Sequence, residues 1–450
     1  MRQVNVAILG AGTVGGGVVD AVHRNGALMA SRLGLALKVH RVVVRDARKP
    51  RNLAVDRKAI STDWRQAVAD PETHIVVELV GGVTQARDMV LEALRSGKPV
   101  VTANKALLSA HGEELFAAAR SAGTGLYYEA SVAGGIPIIK VLREALIGNR
   151  ITRAFGILNG TCNYILTRMR EERGEFEAVL ADAQRLGYAE AEPSLDVDGT
   201  DALHKTGILA SLAHGFWVDV REVAVEGIRG ITPLDMEFAE QLGYTIKLLS
   251  AIKPVDAPRS GRGAGRGRRG TVSGPRVSVT VGPTLVPNGH VLASVGGVYN
   301  AVFLRGDIVG DTLFYGRGAG REATASAVLS DLADAALDMR CGAHDRVPPF
   351  VPHERNGAVL PAGEVVSSHY LRLWVTDRPG VLARVAAILA RQQIGISSVI
   401  QPEGHEGESV PLIFMLHDAR RSAVDLAIRA IRRLPVVKAE PALFRVETFL

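Results

Sequence analysis

Residues 4–15 constrain the chain more than any other stretch. Val4 to Leu9 is apolar but for Asn5, as expected of a strand buried on both faces. It leads directly into Gly10-Ala11-Gly12-Thr13-Val14-Gly15, and a helix pattern follows through His23. Such a turn leaves helix-end N–H groups facing outward, where a phosphate can dock. Gly10 permits the tight turn, Gly12 lets main chain approach a pyrophosphate, and Gly15 lets helix and strand pack closely. A glycine turn without a ligand is the alternative, and the strand–turn–helix setting favours binding.

The same alternation continues. Leu37 to Val44, Ile75 to Val80, Val100 to Thr102 and Gly125 to Glu129 read as strands, with helices at Ala86 to Arg95 and Ala106 to Ala122 between them. Repeated β-α units predict an α/β domain of Rossmann type, a mostly parallel sheet with helices on both faces, over residues 1–130. The tip of the second strand normally selects the nicotinamide cofactor. Here Arg45 favours a 2′-phosphate and so NADP, while the neighbouring Asp46 keeps NAD open. Lys49 and Arg51 beyond it are read equally well as solvated loop charges.

The middle of the chain reads as a mixed α+β domain over 131–320. Helices are expected at Pro137 to Ala145, Glu175 to Leu186 and Asp201 to Ala213, and strands at Arg276 to Val281, Val291 to Val295 and Ala301 to Leu304. Thr324 to Leu337 reads as a helix, assigned with 321–344 to a return onto the nucleotide domain. Residues 256–275 are almost wholly Gly, Arg, Ser, Pro and Ala, and disorder is expected there. Residues 345–366 read as a linker. The pattern then restarts as βαββαβ over 367–450, a ferredoxin-like module: strand Tyr370 to Val375, helix Leu382 to Gln392, strands Ile396 to Gln401 and Val410 to Leu416, helix Ser422 to Arg433, and a last strand near Leu443 to Glu447.

Composition removes several classes. With 450 residues, about two to four domains are expected. Two cysteines, Cys162 and Cys341, make neither a disulfide framework nor a Cys-x-x-Cys metal pattern. No apolar stretch reaches the ~18 residues of a membrane span. The first strand lacks a cleavage site, so a cytoplasmic protein without membrane contact is expected. The net charge is +6, and the five Arg and one Asp between Asp256 and Arg269 supply +4 of it. The basic balance is therefore local, and no nucleic-acid partner is expected of the body of the chain.

Chemistry concentrates in two places. Lys105 follows a strand at its carboxyl end, where open α/β sheets bind ligands; a surface lysine at a helix start is the alternative. Glu190, Glu192, Asp196, Asp198 and Asp201 gather acids before a helix. They do not form a calcium loop: counting from Asp196, position 4 is Gly199 and position 12 is Gly207, against the required Gly at 6 and Glu at 12. Lys205, Ile208, Leu209 and Leu212 share one helix face, so Lys205 points inward, with Asp201 one turn before it. A partly buried lysine oriented by a carboxylate is a candidate proton donor. An ordinary salt bridge with a snorkelling lysine fits the pattern equally. Cys162, in Leu158-Asn159-Gly160-Thr161-Cys162-Asn163, receives no catalytic role, and that segment reads as a turn near the substrate.

The segments AILGAGTVGGGV, VVTANKALL, EASVAGGIPII, GILNGTCNYILT, GYAEAEPSLDVDGTDALHK and YGRGAGREATASAV, in this order, resemble homoserine dehydrogenases over nearly the whole chain. The resemblance implies reversible hydride transfer between aspartate semialdehyde and homoserine, a step toward threonine, methionine and isoleucine. It implies Lys205 as general acid, Asp201 as its orienting partner, and Lys105 as a group that touches aldehyde oxygen, substrate and cofactor. Glu190 and Asp196 would bind the substrate. Gly10, Gly12, Thr13, Val14, Gly15, Arg45, Lys105 and Gly320 would hold the cofactor. Glu129, Val132, Gly134 and Ile136 resemble the family's monovalent-cation site, usually sodium. The DRPGVL segment from Asp377 resembles the opening of an ACT domain, which implies an amino-acid effector such as threonine and a homo-oligomer, dimer or tetramer. A plain capped turn at Gly380 is the alternative there. Relatives join the strands near 252 and 276 by a short turn, so the Arg/Gly segment is a departure. No fused kinase domain is expected before Met1. A catalytically silent amino-acid sensor and nucleic-acid binding through the insert are the competing functions. The joint presence of Lys105, Lys205, Asp201 and Glu190 argues against the sensor.

Overall fold

Six parallel strands form the first sheet, in the order β3-β2-β1-β4-β5-β6: β1 (Arg2–Leu9), β2 (Leu35–Val43), β3 (Ile60–Ser61), β4 (Ile75–Glu78), β5 (Val100–Thr102) and β6 (Leu126–Tyr127). The computed structural model describes residues 2–255, 274–343, 346–402 and 407–449. Helix α1 (Thr13–Leu33) follows the glycine turn. It runs ten residues past His23 because Met29 and Leu33 still face the core, and it stops at Gly34, whose φ of 70° ends the helix. Helices α2 (Trp64–Ala69), α3 (Thr84–Arg95) and α4 (Lys105–Ala122) complete this part.

The middle region opens with a short turn of helix, α5 (Ile138–Lys140), and continues through α6 (Gly160–Glu172), α7 (Phe176–Arg185), α8 (Ser194–Val197), α9 (Thr200–His214) and α10 (Pro233–Gln241). Its strands are β7 (Ile151–Ile157), β8 (Ala224–Val225), β9 (Tyr244–Val255), β10 (Arg276–Pro287), β11 (Tyr299–Gly306) and β12 (Gly310–Arg317). Helix α11 (Arg321–Cys341) then lays Ala325, Val328, Leu332 and Ala335 into the same core as Val4, Val6 and Ile8. One face of the parallel sheet is thus closed by α1 and α11. The core of the other face runs on without a break into the middle region.

Several details differ from the sequence reading. Val291 to Val295 is not a strand: Val291–Ser294 is a 3-10 turn started by the His290 ring accepting from Leu292 N. The supposed turn at Asn159 is the start of α6, with Asn159 as its cap. Strands β7 and β12 are not marked in the sequence reading, and β9 is marked only by its end near residue 252. In β12 every second residue is exposed at a sheet edge, and in β9 a buried Lys247 interrupts the apolar run. Of the expected disordered stretch 256–275, residues 256–273 lie outside the described residues. Pro275 is described, and its carbonyl accepts from Ala358 N.

The tail is β14 (Val366–Thr376), α12 (Val381–Arg391), β15 (Ile396–Ile400), β16 (Ser409–Arg420), α13 (Arg421–Arg432) and β17 (Ala442–Val446), after a short β13 (Ala358–Val359) that pairs with β10. Its strands lie in the order β17-β14-β16-β15. They do not stand apart. Strand β17 pairs in parallel with β10, so middle and tail share one sheet, β12-β11-β7-β9-β10-β17-β14-β16-β15.

A buried ion pair fixes this joint. Asp235 is fully buried and belongs to the capping box of α10. Arg372 on β14 donates Nε to its Oδ1 at 2.7 Å and Nη2 to its Oδ2 at 3.0 Å. Tyr370 and Thr232 donate to the same carboxylate. Removing one partner of such a pair strands the other charge, a loss of ~3–5 kcal/mol. Arg372→Leu is therefore expected to lower the urea midpoint of unfolding clearly, and a midpoint equal to wild type would show that the pair does not hold the tail in place.

Candidate active site

Two cavities open along the carboxyl edge of the parallel sheet, where strand ends and helix starts leave main-chain groups unpaired. The first, of about 390 Å³, is lined by Gly10, Ala11, Gly12, Arg45, Lys49, Arg51, Leu79 and Val80, among others. The second, of about 660 Å³, is shared by Thr13, Val14, Lys105, Glu190, Asp196, Asp201, Lys205 and Gly320. The sequence-predicted residues for cofactor and substrate, Gly15 apart, thus line these two cavities.

The glycine turn is built as its residue types require. Gly10 has φ +98°, and a Cβ there would lie 2.6 Å from Leu79 O. At Gly15 a Cβ would lie 1.9 Å from Gly10 O, so only glycine lets α1 pack against its own turn. Gly12 is different: its Cβ position is open to 4 Å and the residue is exposed, leaving room for a group laid against the main chain. Gly320, with φ +110°, starts α11 on the opposite wall, and Arg321 beside it pairs with Asp20 of α1. The carboxylate of Asp46 accepts from Arg48 N and does not line the first cavity, whereas Arg45, Lys49 and Arg51 do.

The second cavity is organised around Asp201. Gly199, with φ +85°, turns the chain between α8 and α9 so that Asp196 and Asp201 both reach Asn159. The Asn159 amide donates to Asp196 Oδ1 at 2.7 Å and to Asp201 Oδ2 at 2.9 Å. Lys205 Nζ lies 2.7 Å from Asp201 Oδ2, and Lys105 Nζ lies 3.0 Å from Asp201 Oδ1. Burial alone would raise the Asp201 carboxyl, but the two ammonium groups hold it well below its ordinary value. Asp196 goes the other way, raised by burial against the help of Asn159.

Lys205 is 7% exposed, and its ammonium donates to Asp201 and to Leu158 O, both at 2.7 Å. An ammonium has three protons to donate. The third has no acceptor among the described residues and is left for a ligand in the cavity. Glu190 stands on the rim, exposed, with no partner for its carboxylate among the described residues. Cys162 is buried beneath the site with its thiol on Asp196 O; burial raises that thiol, which suits a packing role.

The expected cation loop is adjacent. Ala133 and Gly134 both have positive φ, at 53° and 41°, which turns successive carbonyls. The Val132 and Gly134 carbonyls accept no hydrogen bond from the described residues, while the Ile136 carbonyl accepts from Ile138 N. The Glu129 carboxylate accepts from Ile139 N and Lys140 N, so a cation here would use main-chain oxygens. Burial pushes the Glu129 carboxyl up to about 7, and Asp331, which accepts from Glu129 N, is raised too. Two buried acids side by side favour a positive charge nearby.

Sequence reading missed Asn159 as the bridge between the two aspartates. The Asn-Gly-Thr before an apolar periodic run was a readable helix-start signal. It also missed Leu79 and Val80, which carry no chemical signature and line the first cavity through their place after β4.

Comparison with known proteins identifies the family. The family model "Homoserine dehydrogenase" matches residues 137–333, "Homoserine dehydrogenase, NAD binding domain" matches 10–129, and "ACT domain" matches 369–436. A homoserine dehydrogenase of Pseudomonas aeruginosa is 44% identical over 99% of both chains. The crystal structure of a homoserine dehydrogenase from Thiobacillus denitrificans is 41% identical, with a TM-score of 0.89 over 99% of this chain and 98% of that one. A hyperthermophilic archaeal homoserine dehydrogenase in complex with NADPH is 25% identical, with a TM-score of 0.59 over 75% of this chain and 98% of that one. A Rossmann-type domain, a central catalytic domain and a C-terminal ACT domain therefore make up this chain, an oxidoreductase that belongs to the homoserine dehydrogenase family.

Proposed function

We propose that this enzyme reduces L-aspartate 4-semialdehyde to L-homoserine reversibly, on the path to threonine, methionine and isoleucine, with Lys205 as the proton donor. The unclaimed third proton on the Lys205 ammonium, directed by Asp201 and Leu158 into a cavity that also holds Glu190, is the observation that carries this reading. The bound nicotinamide supplies the hydride. Lys205 gives its proton to the aldehyde oxygen as charge develops there, and Lys105 assists at the same oxygen. Asp201 keeps both lysines in place throughout. Glu190, with Asp196 nearby, binds the substrate ammonium. Residues 1–130 carry the cofactor, 131–320 the substrate, 321–344 return to the nucleotide domain, 345–366 connect, and 367–450 regulate.

NADP is the favoured cofactor. Arg45, Lys49 and Arg51 line the first cavity beside Gly10 and Gly12, and a 2′-phosphate there meets cations and no free carboxylate. The absorbance decay of NADPH with L-aspartate semialdehyde, with NADH in parallel, tests both points. Wild type is expected to consume NADPH faster than NADH. Lys205→Ala should slow the reaction about a hundredfold or more, the scale of a lost acid–base group, without unfolding, since Asp201 keeps Lys105. No decay with either cofactor would end this reading in favour of the silent sensor.

A sodium ion held by main-chain oxygens of Glu129, Val132, Gly134 and Ile136 is the reading of the adjacent loop. A ligand that binds only the folded state raises thermal stability with saturation. Sodium chloride, compared with tetramethylammonium chloride at equal ionic strength, should therefore raise the melting temperature saturably, and identical curves would argue against a cation site.

Threonine is the proposed effector of the tail. A cavity of about 420 Å³ lies against Asp377, Arg378, Pro379 and Gly380 at the start of α12, with Gln401 also in its lining. Titration calorimetry with threonine should show binding and kinetics should show inhibition. The absence of both would remove threonine from the account.

A further inference from the structure

Glu78 is a buried acid that the chemistry above does not use. It ends β4, is 0% exposed, and no cation lies among its hydrogen-bond partners in the described residues. Burying a carboxyl group is costly unless its oxygens are well satisfied. Here they are. Oε1 accepts from Val80 N at 2.9 Å and Gly81 N at 3.2 Å, and Oε2 accepts from the Thr102 hydroxyl at 2.7 Å. Gly81 and Gly82 both have positive φ, at 73° and 71°, which curls the loop around the carboxylate.

The network continues toward the reacting groups. Thr102 Oγ1 accepts from Asn104 N at 3.0 Å. Asn104 donates its side-chain amide to Gly82 O at 2.7 Å, and its Oδ1 accepts from Leu107 N as the cap of α4. The first residue of α4 is Lys105, whose ammonium reaches Asp201. The other end of the network holds Leu79 and Val80, which line the first cavity. One carboxylate thus joins the wall of the nucleotide cavity to the lysine of the catalytic cavity, beside the β4–β5 pairing of Glu78 with Thr102 and the Asn104–Gly82 bond.

We propose that Glu78, acting through Thr102 and Asn104, is a positioning residue for hydride transfer: it sets Lys105 and the Leu79–Gly82 loop in register with one another. This rests on the dehydrogenase reading above and adds to it a residue that touches neither substrate nor reacting atoms. Misplacement of a reacting group by about an ångström lowers rates by up to ~10². A plug that merely filled the sheet edge would lower stability and leave turnover per folded site alone.

Thr102 separates the two roles with little change of shape. Thr102→Val keeps the volume and removes the hydroxyl; Thr102→Ser keeps the hydroxyl. Both are measured with Glu78→Gln for kcat and KM per active site, titrated by nucleotide binding, across pH and alongside melting temperature. The expected result is a kcat about tenfold or more lower in Thr102→Val and Glu78→Gln, a displaced pH profile, a smaller change in KM for the semialdehyde, and near wild-type values in Thr102→Ser. If Glu78→Gln fails to fold, the Thr102 pair decides alone. Lower melting temperatures with kcat and pH profile unchanged would overturn the proposal, as would equal losses in Thr102→Ser and Thr102→Val. Inactive wild type would instead remove the dehydrogenase reading itself.

Discussion

Asp201 stands between two ammonium groups, and the rest of the site depends on that placement. Lys105 reaches it from the first residue of a helix grown out of the parallel sheet, and Lys205 reaches it from one turn further along its own helix. Two lysines could not otherwise share so small a volume, because their mutual repulsion and their desolvation would drive them apart or discharge them. The carboxylate resolves this by pairing with each through a different oxygen. It also joins the Rossmann-type part of the chain to the central part within the second cavity. Asn159 then fixes Asp201 against Asp196, so the two carboxylates are held as one unit.

The tail is joined with similar firmness. Continuity of the sheet across β10 and β17 supplies main-chain bonds, but only Thr284 and Leu285 pair there with Arg445 and Val446. So short a pairing leaves room to pivot. Asp235 and Arg372 remove that freedom, since a bidentate buried pair tolerates little rotation. Two partly exposed pairs, Arg421 with Glu226 and Lys253 with Glu447, cross the same joint. Glu226 lies in the segment that follows β8, and Gly227 of that segment packs against Val197 O and Asp198, directly before the helix of Asp201 and Lys205. The joint is thus separated from α9 only by a short run of closely packed main chain.

Much of this was legible in the chain. The glycine turn, the alternating strands and the restart of the pattern after the Pro/Gly-rich stretch gave the three parts, because buried parallel strands and amphipathic helices carry strong periodicity. The inward face of α9 placed Lys205, and the i,i+4 spacing placed Asp201. What sequence could not give were contacts across long separations. Lys105 meets Asp201 across 96 residues' worth of chain by virtue of tertiary packing alone (positions 105 and 201), and Glu78 meets Thr102 only because their strands are neighbours. Asn159 reads as a turn, since Asn and Gly signal turns as readily as helix starts. Val291 to Val295 had the composition of a strand and lost to a local side-chain cap at His290. The continuous sheet was invisible because nothing in β10 or β17 marks an edge that will be paired with the other.

A common device runs through these joints. Asp201, Asp235, Glu78 and the Glu129–Asp331 pair are buried or nearly buried acids, each with at least one partner from a different element of the fold. Apolar packing would hold the same elements together at less cost in desolvation, but it is non-directional. A carboxylate with its oxygens satisfied accepts only along defined directions, so it fixes register as well as contact. The acids are found where register matters most: between the two lysines, between the loop ends that flank the cofactor edge, and between the catalytic body and its tail. Hydride transfer demands that two bound molecules meet within a narrow distance and angle. A fold that spends buried charge on alignment at those places, and leaves the remainder to apolar packing, meets that demand.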